Sequence, residues 1–540
     1  MGVRQWITEW PVYRQLIGSD PLGKAAAAQS VHSRSLQPRT STADKVVTSV
    51  CPYCGVGCSQ KVYVKDDKVV QIEGNPDSPV SRGRLCPKGA ASLQLTTGSS
   101  RMHQVLYRPP RGTDWQTLSL EQAMHMVADR VIETRANNWQ REVDGKLAAR
   151  TMGIASLGGA TLDNEENYLI KKLFTALGIV QIENQARVCH SSTVVGLGTS
   201  FGRGGATTFM QDLQHADCIV IQGSNFAECH PVGFQWVMEG KARGAVVIHV
   251  DPRFTRTSAL ADLHVPIRAG TDVAFLGGIV NHVLSEEKYF REFVLNYTNA
   301  AMIVDDDFED VEDLDGLFSG FEPEARNYKT AEWQYEGMEV ASASGKRGRG
   351  SGEAHKEDDV RAAGRGEQHG MGGAAMEGKL DRDETLQNPR CVFQILKRHY
   401  ARYTPEMVHR ICGIPPETFA EVCRHLTDNS GPERTSEFVY AVGWTQHSIG
   451  SQFIRAACVL QLLLGNMGRP GGGIQALRGH ASIQGSSDIP TLFNLLPATS
   501  RCRTRCPSRA GPGSSSRTRR ALGLGEHGRL PGQPAQGVVG

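Results

Sequence analysis

The strongest constraint on the fold lies in the first hundred residues, where four cysteines have the spacing of a metal site. Cys51, Cys54 and Cys58 fall within CPYCGVGC, and Cys86 follows in RGRLCPKG, which gives C-x2-C-x3-C-x27-C. Thiolates that lie close together on a Gly-containing loop can converge on one centre. The fourth cysteine follows a predicted β-hairpin and would complete the coordination shell.

Zinc and an iron-sulfur cluster both accept four thiolates, so the quartet alone leaves two kinds of metal centre open. Structural zinc usually takes paired C-x2-C knuckles at both ends of its site. Here three clustered cysteines precede one that stands alone. This spacing favours a [4Fe-4S] cluster, with zinc and simple burial as the alternatives. A cluster implies electron transfer, so redox chemistry is the predicted class of function.

Composition and charge exclude several other classes of protein. The 540 residues carry a formal net charge of +2, so no overall field attracts nucleic acid or an anionic membrane surface. The 13 cysteines are too scattered for a disulfide scaffold. No apolar run approaches the roughly 20 residues of a membrane-spanning helix. The N-terminus has neither an apolar signal region nor an Arg pair. We therefore expect a cytoplasmic protein with no nucleic-acid partner and no membrane span.

Hydrophobic patterning along the chain predicts an α/β protein. Residues 61–74, KVYVKDDKVVQIEG, predict two strands around an Asp-Asp turn. Ser119 and Gln122 predict a capping box, followed by an amphipathic helix whose stripe from Met124 to Val131 packs on a core. From about residue 150, GIASLGGA, CIVIQGSN and AVVIHVDP alternate with helix-like stretches. That alternation is typical of a parallel sheet.

Two segments depart from this pattern. Residues 341–385 are low-complexity, charged and Gly-rich, and they predict a disordered surface insertion. The α/β pattern then resumes and runs to about residue 495. Between Arg501 and Arg520 there are seven arginines, two cysteines and no acids. This stretch therefore lacks the periodic hydrophobic residues that form a core. We do not expect this last stretch to belong to the fold.

One further cysteine lies directly beside a histidine. Residues 183–196, ENQARVCHSSTVVG, contain Cys189 and His190 in a Gly- and Ser-containing surrounding. A single cysteine in an intracellular chain is more often a small buried side chain than a reactive group. The sequence of residues 183–196 alone leaves open whether the Cys189 thiol is functional.

Several long motifs, in order, resemble the large subunit of molybdenum-dependent formate dehydrogenases, which are molybdopterin oxidoreductases. They are the cysteine quartet with CPKG, GSNFAECHPVGFQW, HVDPRFTRTSALADLHVPIRAGTD and GNMGRPGGGIQALRGHASIQGSSDIP. The resemblance runs from about Val46 to Leu496 and is broken at the low-complexity insertion. It implies an α/β molybdopterin oxidoreductase fold, in which a small N-terminal β-rich iron-sulfur domain precedes interleaved parallel-sheet α/β domains.

The resemblance also implies domain boundaries. The expected parts are a leader (1–45), a [4Fe-4S] domain (46–108), the first half of an α/β domain (109–186), an α/β molybdopterin-binding domain (187–479) and a non-family tail (497–540). The second half of the 109–186 domain is expected to be mostly missing after about residue 480.

Roles for individual residues follow from the same resemblance. Cys189 would ligate molybdenum or tungsten, His190 would accept or relay a proton, and Arg478 would orient formate, because a guanidinium fork matches a carboxylate. Lys88 would lie between a pterin and the cluster held by Cys51, Cys54, Cys58 and Cys86. The residues expected to contact two pterin guanine dinucleotides are Lys88, Gly223, Asn225, His230, Asp251, Asp272, Gly443 and Gln446.

The implied activity is oxidation of formate to carbon dioxide at a molybdenum bis(pterin guanine dinucleotide) centre. Electrons would pass through the [4Fe-4S] cluster to an iron-sulfur subunit or carrier, as in anaerobic respiration. A nitrate reductase of the same family is one rival, and an electron-relay subunit without molybdenum is another. A relay needs none of Cys189, His190 and Arg478, so their joint presence argues against it. Because the resemblance stops before an arginine-rich tail, a frame-disrupted, inactive fragment with exposed apolar surface is a further hypothesis.

Overall fold

The structure is a computed structural model that describes residues 2–18, 30–328, 333–336, 381–481 and 483. Its contacts divide the chain into two units. The first is Met1–Cys51 with Gly57–Arg101, and the second is Pro52–Val56 with Met102–Gly540. The predicted tail and most of the predicted insertion lie outside the described residues.

The first unit contains a small antiparallel sheet in the order β1-β2-β3. Its strands are β1 (Lys45–Val50), β2 (Ser59–Lys65) and β3 (Lys68–Gly74), and its helices are α1 (Val3–Glu9), α2 (Pro11–Ile17), α3 (Pro87–Ala90) and α4 (Ser92–Thr97). Asp66 and Asp67 join β2 to β3 with φ values of 49° and 56°. Asp tolerates this left-handed conformation better than most residues do. The predicted hairpin over 61–74 is confirmed.

The second unit holds the remaining described strands and helices. Its strands are β4 (Val105–Tyr107), β5 (Gln116–Leu118), β6 (Trp139–Val143), β7 (Lys146–Gly158), β8 (Ile179–Asn184), β9 (Cys218–Gln222), β10 (Val246–Val250), β11 (Leu263–Val265), β12 (Phe321–Glu322), β13 (Asn327–Tyr328), β14 (Ser436–Tyr440) and β15 (Gly473–Ala476). Its helices are α5 (Leu120–Asn137), α6 (Asn164–Ala176), α7 (Ser191–Phe201), α8 (Phe226–Cys229), α9 (Phe234–Ala242), α10 (Asp272–Ser285), α11 (Arg291–Tyr297), α12 (Val392–Tyr400), α13 (Pro405–Cys412), α14 (Pro416–Asp428), α15 (Val442–Thr445) and α16 (Gly450–Leu463).

Helix α5 begins at the predicted capping box, but it does not bury the predicted stripe. Ser119 Oγ accepts a hydrogen bond from the Gln122 N–H at 3.2 Å, and the Gln122 side chain accepts one from the Ser119 N–H. Met124 and Val127 are 52% and 54% exposed, whereas Ala123 is buried. The helix is confirmed and its predicted packing is wrong, because three of the four stripe residues are exposed and only Val131 is partly buried.

A five-stranded parallel sheet forms the core of the second unit, in the order β11-β10-β9-β14-β15. Every residue of β9 and β14 is buried, as expected for parallel strands that are covered on both faces. Phe275 of α10, Phe453 of α16 and Phe438 of β14 belong to one buried apolar cluster on one face. Burying each such side chain contributes roughly 1.5 to 3 kcal/mol. The predicted parallel α/β sheet is confirmed.

The strand order of this sheet determines where a ligand can bind. From β9 the chain continues on one side through β10 and β11, and it returns on the other side as β14 and β15. The adjacent strands β9 and β14 therefore form a topological switch point. In open α/β sheets, ligands bind at such a point, outside the carboxyl ends of the strands.

Glu437 on β14 is an ionisable residue at a fully buried position of this sheet. It is 0% exposed, and neither carboxyl oxygen makes a hydrogen bond to a described residue. Burial, with a smaller contribution from the negative charge of Asp212, raises the pKa of Glu437 well above its ordinary value. The carboxyl group therefore stays neutral in the folded protein at pH values where it ionises in the unfolded chain.

We expect Glu437→Gln to stabilise the protein, with a gain that increases with pH. Since the pKa of Glu437 is raised in the folded protein, its contribution to the free energy of unfolding is most favourable below the unfolded pKa of about 4.3. That contribution is lost as pH rises toward the folded pKa. Each pH unit in that window costs about 1.4 kcal/mol. Urea unfolding at about pH 5 and about pH 8 measures the gain. Glu433→Gln, in the exposed segment before β14, is the control. A gain that is equal at both pH values would contradict the expectation.

Across the described residues, no helix combines the length and the apolar character needed to cross a bilayer.

Candidate functional site

Three cysteines of the quartet belong to the first unit. Cys51 and Cys58 are buried, and the Cys51 N–H donates to the Cys58 carbonyl at 2.8 Å. Cys86 directly precedes α3, and the side-chain amide of Gln60 on β2 donates to the carbonyl of Gly89 in that helix at 3.1 Å. This buried hydrogen bond attaches the segment that carries Cys86 to the strand that follows Cys58.

The remaining predicted cluster residues are Cys54 and Lys88. Cys54 is half-buried within residues 52–56, which group with the second unit, and Lys88 is exposed on α3. In the described part of the chain, no three His, Cys, Asp or Glu side chains are arranged to hold a metal ion. Ligation by the four cysteines and the role of Lys88 stay predictions.

A cavity of about 370 Å³ opens at the carboxyl ends of β9, β10 and β14. Its lining includes five residues that the sequence predicted to bind cofactor, namely Gly223, Asn225, Asp251, Asp272 and Gly443. It also includes Ser224, Cys229, Arg253 and His447, which the sequence analysis did not select. Each of these four lies within four residues of a selected one, so the only signal for them was proximity in the sequence. The cavity lies at the switch point of the sheet.

Two glycines bring the ends of β9 and β14 together at this cavity. The Gly443 N–H donates to the Gly223 carbonyl at 3.1 Å. A Cβ atom on Gly443 would lie 2.4 Å from that carbonyl oxygen, and Gly223 has a φ of +66°. Neither position therefore accepts a side chain without moving the backbone.

Two carboxyl groups line the cavity. Asp272 Oδ1 accepts hydrogen bonds from the Gln222 amide at 2.7 Å and from the Trp444 indole N–H at 3.1 Å. Burial raises the pKa of Asp272, and these two hydrogen bonds oppose the rise. Asp251 Oδ1 accepts from the Arg253 N–H at 2.9 Å. The second oxygen of each group can accept from the amine or hydroxyl groups of a nucleotide.

The three residues predicted to be catalytic meet in a second polar cluster. Cys189 is half-buried, and His190 follows it as the N-cap residue of α7. Arg478 follows β15 and is 6% exposed. Its Nη2 donates to the Gly204 carbonyl at 2.8 Å, while its Nε makes no hydrogen bond to a described residue. No carboxylate among the described residues is a cause of its pKa shift, and burying a guanidinium without such a counter-charge is costly.

Burial and the charge of Arg478 determine the protonation of this cluster. Burial raises the pKa of the Cys189 thiol, and Arg478 opposes that rise. Burial also lowers the pKa of His190 to about 3, and the Arg478 charge adds to the lowering. Burial lowers the pKa of Arg478 from its ordinary high value. The His190 imidazole is therefore neutral near neutral pH.

His190 is connected to two residues that the sequence analysis missed. Its Nδ1 lies 3.3 Å from Thr193 Oγ1, which lies 2.7 Å from the Tyr440 hydroxyl. His190 Nε2 is buried without a hydrogen bond of good geometry to a described residue, although the nearby Leu477 backbone opposes the lowering of the His190 pKa. Thr193 lies one helical turn after His190, which is a weak local signal. Tyr440 is 250 residues away in the chain, and the sequence held no signal for it.

His230 and Gln446, which were predicted to contact cofactor, bind backbone carbonyls beside this cluster. His230 Nε2 donates to the Arg478 carbonyl at 2.7 Å, and that carbonyl also accepts from the Gly55 N–H at 3.1 Å. The Gln446 amide donates to the Val188 carbonyl at 3.2 Å. Both residues thus hold the backbone at or next to a predicted catalytic residue. Their contact with a pterin dinucleotide stays a prediction.

The fold and the site together define an α/β protein with a crevice of about 370 Å³ at the switch point of its sheet. A thiol, a neutral imidazole and a guanidinium form a second cluster. Residues 44–98 match the family described as the molybdopterin oxidoreductase Fe4S4 domain, and residues 101–520 match molybdopterin oxidoreductase. The chain belongs to the molybdopterin oxidoreductase family. The predicted fold class is confirmed. The predicted cofactors, a [4Fe-4S] cluster and pterin-bound molybdenum or tungsten, are confirmed over zinc.

Named relatives agree with the resemblance read from the motifs. The chain is 41% identical over 456 residues to formate dehydrogenase subunit alpha of Megalodesulfovibrio gigas, covering 84% of this chain and 41% of that protein. It is 42% identical over 460 residues to the formate dehydrogenase-O major subunit of Escherichia coli, covering 83% and 41%. The chain thus spans about two fifths of the length of these relatives. The resemblance to formate dehydrogenase large subunits is confirmed.

A solved structure supports the fold. Acetylene hydratase from Pelobacter acetylenicus superposes with a TM-score of 0.51 at 18% sequence identity, over 79% of this chain and 44% of that one. At this identity the likeness concerns the arrangement of strands and helices alone.

Proposed function

We propose that this chain carries the formate-oxidising centre of a molybdenum- or tungsten-dependent formate dehydrogenase. The observation that carries the proposal is the meeting of Cys189, His190 and Arg478 in one buried cluster. Relatives that are about 40% identical and are named formate dehydrogenases support the same substrate. The predicted bis(pterin guanine dinucleotide) form of the cofactor is part of this proposal.

The residues present fit such a cofactor. The Cys189 thiol is a soft donor suited to molybdenum; burial raises its pKa, and the positive charge of Arg478 opposes that rise. The 370 Å³ cavity has room for part of a dinucleotide, and Asp251 and Asp272 can bind its polar groups. Both features belong to the second unit.

In the proposed reaction, the bound metal would supply the acceptor for the two electrons released from formate. Arg478 would hold the formate carboxylate through its buried guanidinium, whose Nε has no other partner among the described residues. That contact would fix the direction of the C–H bond. Because burial and the Arg478 charge lower its pKa to about 3, the His190 ring would relay the released proton rather than hold it, and Thr193 Oγ1 lies 3.3 Å from its Nδ1. Burial of both groups would exclude water.

The electron path and the partners complete the proposal. Electrons would leave past Lys88 through the cluster held by Cys51, Cys54, Cys58 and Cys86, and would reach an iron-sulfur subunit or carrier. The cytoplasmic location stays a prediction of the sequence. A relay subunit without molybdenum is disfavoured, because nothing in electron relay alone explains a buried guanidinium that has no carboxylate partner among the described residues.

The proposal is tested by producing the 540-residue chain anaerobically with the molybdenum cofactor machinery present. Iron, molybdenum and tungsten are measured in the purified protein, followed by formate-dependent reduction of a viologen dye. We expect iron together with molybdenum or tungsten, and formate-dependent turnover. Turnover with nitrate and none with formate would support the nitrate reductase alternative. Absence of molybdenum and tungsten, or full metal loading without turnover on either substrate, would contradict the proposal.

A further inference from the structure

A buried series of hydrogen bonds connects Ser224, which lines the cavity at the switch point, to residues that do not line it. His249 on β10 is 0% exposed. Its Nε2 lies 3.1 Å from the Ser224 carbonyl oxygen, and its Nδ1 lies 2.7 Å from Ser258 Oγ. Ser258 Oγ accepts in turn from the Thr255 N–H at 2.8 Å. His249, Ser258 and Thr255 are absent from the cavity lining, whereas Ser224 lines it.

The direction of each hydrogen bond in the series from Ser224 to Thr255 follows from the groups at its two ends. The Ser224 carbonyl can only accept, so His249 Nε2 carries a hydrogen and donates it. Burial lowers the pKa of His249, and Asp251, whose Oδ2 is 4.0 Å from Nε2, opposes the lowering. In the neutral ring Nδ1 must accept. Ser258 therefore accepts from Thr255 and donates to His249.

This arrangement fixes the orientation of one peptide at the cavity. The described peptide bonds are trans, so the Ser224 carbonyl and the Asn225 N–H point in opposite directions. Because His249 draws the carbonyl toward the sheet, the Asn225 N–H points away from His249. Ser224 and Asn225 both line the cavity.

A second buried side chain fixes the same loop from its other end. Thr257 is 0% exposed, and its hydroxyl donates to Asn225 Oδ1 at 3.1 Å and accepts from the Ala227 N–H at 3.0 Å. The Asn225 side chain is thereby held against Thr257. The segment 255–258 thus holds the 224–227 loop directly at Asn225 and Ala227, and indirectly at Ser224 through His249.

We propose that His249, supported by Ser258 and Thr257, is a positioning residue that orients the Ser224–Asn225 peptide so that the Asn225 N–H donates to a phosphate oxygen of the bound nucleotide. None of the three side chains touches the ligand. The inference rests on the proposed function, which makes this cavity a nucleotide site.

The test compares GDP with guanosine as probes, by calorimetric titration of the full chain purified without pterin cofactor. His249→Phe keeps a ring but removes both hydrogen bonds, and it should weaken GDP binding roughly tenfold. Ser258→Ala removes one bond and should produce a smaller loss. Guanosine has no phosphate, so its affinity should not change in either variant. His249→Gln restores a donor toward Ser224 and should recover part of the GDP affinity.

His409→Phe is the matched control. His409 Nδ1 also bonds a backbone carbonyl, that of Ile414 at 2.9 Å, but the residue does not line the cavity. This variant should bind GDP as the unmodified chain does. The positioning role is overturned if His249→Phe and Ser258→Ala bind GDP unchanged, or if they lose GDP and guanosine equally, which indicates a general collapse of the site. If the unmodified chain binds neither probe, the nucleotide assignment itself falls, and the positioning role falls with it.

Discussion

Cys189→Ala is expected to abolish formate-dependent turnover at every formate concentration, whereas Arg478→Lys is expected mainly to weaken the use of formate. The first variant removes the proposed metal ligand, so more substrate cannot restore activity. The second keeps a positive charge but loses the planar fork, because an ammonium cannot bind both carboxylate oxygens in the same geometry. For Arg478→Lys we expect a loss of about 2 to 3 kcal/mol in transition-state stabilisation, or roughly 30- to 160-fold in kcat/KM.

Steady-state kinetics of the metal-loaded chain, with metal content measured for each variant, separates the two roles. Cys189→Ala should lower kcat below detection. Arg478→Lys should act largely through KM at unchanged metal content. Arg455→Lys is a matched control, since Arg455 donates to the Thr199 hydroxyl at 3.0 Å on the exposed side of α16. Kinetics of Arg478→Lys equal to those of the control would contradict the proposed contact with formate.

The burial of Arg478 is the reason to expect a much larger kinetic effect from Arg478→Lys than from Arg455→Lys. An exposed arginine interacts weakly with a carboxylate, because water and salt screen the charge. Arg478 is 6% exposed, and its backbone carbonyl is held by two donors, His230 and Gly55. The guanidinium therefore starts from a fixed position at low local polarity, where a carboxylate partner is bound more strongly than in water.

Local features of the fold could be predicted from the sequence because their causes are local. The hairpin at 61–74 follows from strand alternation around two Asp residues, and the start of α5 follows from the Ser119 and Gln122 pair. Short apolar stretches such as the one in CIVIQGSN predicted the strands of a parallel sheet, and β9 is indeed a strand of that sheet and is buried throughout. The exposed stripe of α5 shows what periodicity cannot predict. Periodicity gives the apolar side of a helix, but not whether another element covers it.

Contacts between distant segments were beyond the reach of the sequence. Strand β14 pairs with β9 across more than 200 residues, and this pairing places Gly443 against Gly223 and Tyr440 near His190. The alternation of side chains along a strand indicates which face each residue occupies, but it does not identify the strand with which it pairs. Cavity residues were therefore found where a motif ended at a strand terminus. Supporting residues such as Thr193 and His249 could not be identified.

The cysteine quartet should control both the colour and the stability of the first unit. Cys58→Ser, in anaerobically purified protein, is expected to remove the broad visible absorbance of the cluster and the low-temperature paramagnetic signal of the reduced form. A serine hydroxyl is a poor substitute for a soft thiolate on iron. Cys412→Ser is the control, because this buried cysteine lies in α13, outside the quartet, and donates to the Thr271 carbonyl at 3.4 Å. Iron content and absorbance should be unchanged there.

Loss of the cluster should also unfold the first unit, because the unit has little else to stabilise it. Among its described residues, the buried apolar side chains are Cys51, Cys58 and Ile72, two of which are quartet members. A small unit with so few buried apolar groups needs a metal centre or cross-links to fold, and metal binding then contributes its free energy directly to folding. In Cys58→Ser, limited proteolysis should therefore cut within residues 45–101 while the β9–β14 sheet of the second unit stays protected. Stoichiometric zinc in the unmodified chain, or an iron-free Cys58→Ser protein whose first unit resists protease as before, would show that the cluster does not hold this unit together.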